Sequence, residues 1–147
     1  MCGIVGITSN KDVTARIIGS LKKLEYRGYD SAGIATLYNK NINEVKCEGR
    51  VEALEKNISK TNLQGKIGIG HVRWATHGKP STLNAHPHSS DAVSVVHNGI
   101  IENSTILKKL LEKKGYKFKS QTDTEVIVHL VTDYLKKDNL KNTIVKV

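Results

Sequence analysis

Cys2 stands directly behind the initiator methionine. Removal of Met1, which a small second residue favours, would leave a thiol and a free α-amine on one residue. An α-amine titrates near about 7.7–8.0 and a thiol near about 8.5. Both lie close to neutral pH, so the amine can take the thiol proton and later return it to a leaving group. One residue would then be nucleophile and base together, suited to breaking an amide bond. By position alone Cys2 fits a buried cysteine of a first strand at least as well, so the case depends on what else the chain carries.

Arg73 sits in the run Gly70-His71-Val72-Arg73-Trp74-Ala75-Thr76-His77-Gly78. A guanidinium offers a planar fork that matches a carboxylate. Asn98-Gly99 follows an apolar stretch; a side-chain amide and a glycine N–H can together hold an oxyanion, although the pair also reads as a simple turn. Asp123 opens a helical pattern, where it can hold a cationic amine or merely complement the helix N-terminus. His86 and His88, two apart in a loop near His77 and Asn84, raise the question of a metal. A metal site takes three or four ligands with orienting partners, and no cysteine pair or Asp/Glu cluster stands nearby. No metal and no cofactor is expected.

These residues need elements to hold them. Gly3–Thr8 reads as a short apolar strand. Asp12 can cap a helix on which Val13, Ile17, Ile18, Leu21 and Leu24 repeat at helical spacing, ending at Arg27-Gly28 with glycine in a left-handed cap. Residues 32–38 and 42–47 read as a hairpin turning at 39–41. Val51, Leu54 and Ile58 mark a short helix, and residues 66–72 a strand. Residues 73–91 form a long polar loop with Pro80 and Pro87, and loops of that length in a compact domain are commonly functional. Residues 92–97 and 117–120 read as strands. Ser104 can cap a helix over 105–114 that ends at Gly115. Thr122-Asp123-Thr124-Glu125 has the form of a capping box, and another helix follows Asp138-Asn139. Paired strands alternating with helices argue for an α+β fold with antiparallel or mixed sheets.

A chain of 147 residues is one domain by the usual measure of roughly 100–200 residues each. The +9 net charge raises the possibility of a basic nucleic-acid-binding module. With 5% aromatic residues and no RNP, zinc-finger or homeodomain pattern, a solvated lysine-rich surface accounts for it better. Two cysteines without a CxxC spacing form no disulfide framework, and neither a signal peptide nor a membrane span is visible. A cytoplasmic protein is expected, with neither nucleic acid nor membrane as partner.

Taken together, and in their order, the motifs are similar to those of the class II glutamine amidotransferases, whose glutaminase domains are N-terminal-nucleophile (Ntn) hydrolases. The matching segments are Cys2-Gly3-Ile4-Val5-Gly6, Arg27-Gly28-Tyr29-Asp30-Ser31-Ala32-Gly33, the run from Gly70 to Gly78, Asn84-Ala85-His86-Pro87, and His97-Asn98-Gly99-Ile100-Ile101-Glu102-Asn103. They cover nearly the whole chain. Residues 24–33 and 120–126 most resemble the branch whose full-length members aminate fructose 6-phosphate to glucosamine 6-phosphate. The amidophosphoribosyltransferase branch, the alternative, typically carries a histidine before Arg-Gly and Gln-Glu or Gln-Asp after it.

The resemblance implies a four-layer αββα sandwich of mainly antiparallel sheets. It implies that Cys2 attacks the side-chain amide of glutamine and forms a glutamyl thioester. Arg73 would bind the α-carboxylate and Asp123 the α-ammonium, with Thr76 and His77 supporting that site. Asn98 and Gly99 would form the oxyanion hole. Arg27 would orient the mature N-terminus, and Trp74 would stand between the glutamine site and the ammonia exit. Because the chain stops at Val147 within an apolar periodic stretch, residues 1–147 are expected to be the N-terminal part of the glutaminase domain. Its later strands and two sugar-isomerase-type domains, which carry a homodimer in the relatives, would lie outside it.

Overall fold

The computed structural model describes residues 1–75 and 78–147. Four strands form one antiparallel sheet in the order β1-β4-β2-β3, where β1 is Gly3–Thr8, β2 Ser31–Tyr38, β3 Asn41–Glu48 and β4 Ile67–Arg73. The β2–β3 hairpin turns through Asn39 and Lys40, both at positive φ (50° and 65°), the conformation that matches the twist of paired strands. Helix α1 (Thr14–Leu24) and helix α2 (Val51–Ile58) cover one face of this sheet. Ile17, Leu21, Ile34, Leu54 and Val72 are sealed there, each such aliphatic side chain contributing about 1.5–3 kcal/mol by burial.

Side chains alternate along a strand. Since Val72 faces the helices, His71 and Arg73 face the other way, and residues 84–89 cross that second face. The His86 carbonyl lies so close over Gly33 that a β-carbon there would overlap it. Ser89 Oγ donates to Glu44 of β3 at 2.6 Å. A second, two-stranded sheet pairs β5 (His88–Ser89) with β6 (Ser94–Val95). Helix α4 (Glu125–Leu135) packs on it, and α3 (Ser104–Lys113) and α5 (Leu140–Lys146) pack against α4. The layers therefore run helices, sheet, short sheet, helices: the α+β arrangement expected. Ile4, Leu37 and Ile67, on the second face, keep 41–49% of their surface exposed.

Several local expectations need correction. The strand expected over 92–97 is only Ser94–Val95. No strand forms over 117–120: the N–H groups of Lys119 and Ser120 donate instead to the Glu125 carboxylate at 2.8 and 2.7 Å. The same bonds undo the capping box. Glu125 reaches Ser120 and Lys119 rather than Thr122, and the helix begins after Thr124. Gly28 is not a left-handed cap, since its φ is −176°. Glycine is required there by close approach, because a β-carbon would lie 2.6 Å from the backbone carbon of Arg73. Ser104 is the first helical residue of α3, not its cap.

Candidate active site

Cys2 leads into β1 beside the C-terminal end of β4, so sheet pairing brings it next to Trp74. The Trp74 N–H donates to Cys2 Sγ at 3.2 Å. The Cys2 carbonyl oxygen accepts from Arg27 Nε at 3.1 Å and from Asn98 Nδ2 at 3.3 Å. Arg27 comes from the tight turn after α1, and Asn98 from the segment beyond β6. Two distant parts of the chain thus fix the peptide that carries the thiol. Met1, the residue an aminopeptidase would remove, is 81% exposed.

A cleft of about 380 Å³ opens at this point, lined among others by Cys2, Arg27, Arg73, Trp74, Asn98 and Asp123. That volume suits an amino-acid-sized ligand. Arg73 is buried at the end of β4 and donates to the Gly78 carbonyl at 3.1 Å. Asp123 precedes α4 and accepts from the Ile101 N–H at 2.6 Å, which ties the Asn98–Gly99 segment to the start of that helix. Gly99 passes so close to the His97 ring that a β-carbon would lie 2.6 Å from its Nε2. Trp74 is half exposed and meets Tyr29 edge to face at 5.5 Å. Asp30 holds the base of this segment: its backbone N–H donates to the Arg73 carbonyl at 3.2 Å, and its carboxylate accepts from the Ala75 N–H. Thr76 and His77 lie outside the described residues.

The structure thus brings Cys2, Arg27, Arg73, Trp74, Asn98, Gly99 and Asp123 to one cleft. What the sequence reading missed lies beneath it. His71, fully buried, places Nε2 2.9 Å from Asn98 Oδ1 and 3.2 Å from His86 Nδ1. The rings of His71, His86 and His88 stack edge to face, and His88 Nε2 meets Thr122 Oγ1 at 2.8 Å. Thr122 Oγ1 is 2.9 Å from Ser120 Oγ, which donates to Glu125 at 2.6 Å. Two hydrogen-bonded runs therefore lie beneath the cleft, Asn98–His71–His86 and His88–Thr122–Ser120–Glu125, joined by the edge-to-face contact of His86 with His88. The two histidines considered as metal ligands turn part of their nitrogens to these partners.

Burial makes these imidazoles hard to protonate. His71 is held near 4 by burial, which outweighs its bond with Asn98, and the nearby Arg73 charge adds to the effect. His88 is held near 3 by burial and then by the Lys46 charge. His86 is lowered by burial and by the two neighbouring histidines. All three are neutral at pH 7.

The family model described as "Glutamine amidotransferase domain" matches residues 72–144. The chain is 55% identical over 148 residues to the glutamine–fructose-6-phosphate aminotransferase (isomerizing) of Clostridium acetobutylicum, covering 99% of this chain and 24% of that protein. It is 53% identical over 139 residues to the protein of the same name from Bradyrhizobium diazoefficiens, covering 95% and 23%. The chain spans about a quarter of the length of these curated relatives. Among solved structures, the glutamine phosphoribosylpyrophosphate amidotransferase of B. subtilis superposes with a TM-score of 0.79 at 30% identity, over 98% of this chain and 31% of that one.

Proposed function

This chain belongs to the glutamine amidotransferase family, and we propose that its cleft hydrolyses glutamine to glutamate and ammonia through a thioester on Cys2. The observation that carries the reading is the convergence of Arg27 and Asn98 on the Cys2 carbonyl, in a cleft also lined by Arg73 and Asp123. With Met1 removed, the α-amine of Cys2 takes the thiol proton, and Sγ attacks the side-chain carbonyl carbon of glutamine. The oxygen becomes an oxyanion, held by the second N–H of the Asn98 amide and the N–H of Gly99. The C–N bond breaks, the amine returns its proton to the leaving nitrogen, and ammonia departs. Water then attacks the thioester, and glutamate leaves as the thiol is restored.

Arg73 and Asp123 select the substrate in this reading. A guanidinium for the α-carboxylate and a carboxylate for the α-ammonium recognise a free amino acid and fix which end reaches the thiol. Trp74, at the rim against Tyr29, stands where ammonia would leave. Thr76 and His77 are carried in the proposal from the sequence resemblance alone.

The identity to aminotransferases named for fructose 6-phosphate supports that sugar as the acceptor of the ammonia over the phosphoribosyl alternative. Residues 1–147 would then be the N-terminal part of the glutaminase domain in a longer, homodimeric enzyme, with the sugar site in domains outside this chain. Among the described residues no helix is long and apolar enough to cross a membrane. Both cysteines are free, in keeping with a cytoplasmic setting. Release of ammonia and glutamate from glutamine by the purified protein, lost in Cys2→Ala, tests the reading; undiminished release by Cys2→Ala would end it.

A further inference from the structure

The amide of Asn98 has two chemically different ends, and its surroundings decide which way it points. One end lies 3.3 Å from the carbonyl oxygen of Cys2, which can only accept, so that end must be the NH2 group. The other end, Oδ1, then faces Nε2 of His71 at 2.9 Å. An amide oxygen can also only accept, so His71 Nε2 must carry the proton. His86 Nδ1 sits 3.2 Å from the same nitrogen and can offer only its lone pair there. Each partner's role follows from the next, and the ring is fully buried.

From this geometry we infer that His71 is a positioning residue: its Nε2–H holds Oδ1 of Asn98, and so keeps the amide N–H groups turned toward Cys2 and the reacting oxygen. The inference deepens the proposed glutaminase reading and rests on it. In the other tautomer Nε2 would have a lone pair facing Oδ1. The amide would then turn over, presenting Oδ1 to the Cys2 carbonyl and to a developing oxyanion, where it repels both. His71 is not among the residues that line the cleft. Its effect passes entirely through Asn98.

Two measurements on the purified protein test this. The first needs no substitution: long-range 15N–1H spectra of the histidine rings report which nitrogen of His71 bears hydrogen. The Nε2–H form is expected, and the Nδ1–H form would overturn the inference. The second is a double-mutant cycle. His71→Phe fills the ring volume without a donor and should lower kcat for glutamine by roughly 10–100-fold, the range for a lost buried hydrogen-bond partner. KM and the rate at which iodoacetamide alkylates Cys2 should stay within about twofold, while His71→Gln, which restores an N–H, should recover most of the loss. His71→Phe should cost nothing further in an Asn98→Ala background. Independent, multiplying losses would overturn the inference and leave the oxyanion reading standing. An undiminished rate in Asn98→Ala would sink that reading, and the inference with it. Should His71→Phe not fold, His71→Gln and the spectra decide.

Discussion

The side-chain amide of Asn98 donates to the carbonyl oxygen of Cys2 at 3.3 Å, across 96 positions of sequence. The bond ties a donor of the proposed oxyanion hole to the residue that carries the nucleophile. Loss of one such donor typically costs about 100–1000-fold in rate. Asn98→Ala should therefore lower kcat for glutamine hydrolysis by about that factor. A steady-state rate within about threefold of wild type would place the oxyanion elsewhere.

Arg73 is buried at the end of β4, where its backbone is held by Asp30. Lysine keeps the charge but not the planar fork. Arg73→Lys should raise KM for glutamine by about tenfold or more, with a smaller change in kcat, since hydrogen bonds to charged groups contribute about 1.5–3 kcal/mol. Initial rates across a glutamine titration read this directly. An unchanged KM would mean that the α-carboxylate binds somewhere else.

Gly28 packs on the backbone of Arg73 and Trp74, with 2.6 Å from an added β-carbon to the Arg73 carbonyl carbon. Neither neighbour is a side chain that can swing away. Gly28→Ala should destabilise the fold by about 1–3 kcal/mol, the usual cost of overpacking. It should also raise KM for glutamine, because the strand end that must move carries Arg73. Denaturant unfolding with the same titration checks both; an unaltered midpoint would show that the close approach relaxes freely.

The buried histidines give stability a pH dependence of definite sign. An unfolded imidazole titrates near about 6.5, whereas folding holds His71 near 4 and His88 near 3. Between these values the unfolded chain binds more protons than the folded one, so stability is fully present above the unfolded value and drains away as pH falls. The melting temperature should drop from about pH 6.5 toward about pH 4, and less steeply in His88→Gln. A flat profile in that window would contradict the burial of these rings.

Much of the scaffold was legible because it obeys local rules. The spacing of Val13, Ile17, Leu21 and Leu24 marks α1, and the polar residues 39–41 mark the hairpin, which turns at Asn39 and Lys40. The path of Glu125 was not legible. A threonine three residues ahead of a glutamate looks like a capping box, but Ser120 and Lys119 together supply the three donors that Glu125 takes, and sequence spacing does not rank competing partners. Gly28 shows a similar limit, since its reason is a contact with Arg73 rather than a backbone angle. For His71 the signal was half present. Strand alternation puts it on the face of Arg73, but its partner Asn98 stands 27 positions away, and nothing local announces the pairing.

In the proposed reaction Cys2, freed of Met1, attacks the side-chain carbonyl of glutamine. Intact-mass and peptide-mapping analysis of the purified protein, after incubation with a glutamine analogue bearing an electrophilic ketone in place of the amide, tests it most directly. Cys47 serves as an internal control, because it is buried and burial pushes its thiol up. A chain beginning at Cys2, one adduct mapped to Cys2, and protection by glutamine are expected. A protein that hydrolyses glutamine with Met1 still attached, or an adduct on Cys47 in place of Cys2, would contradict it.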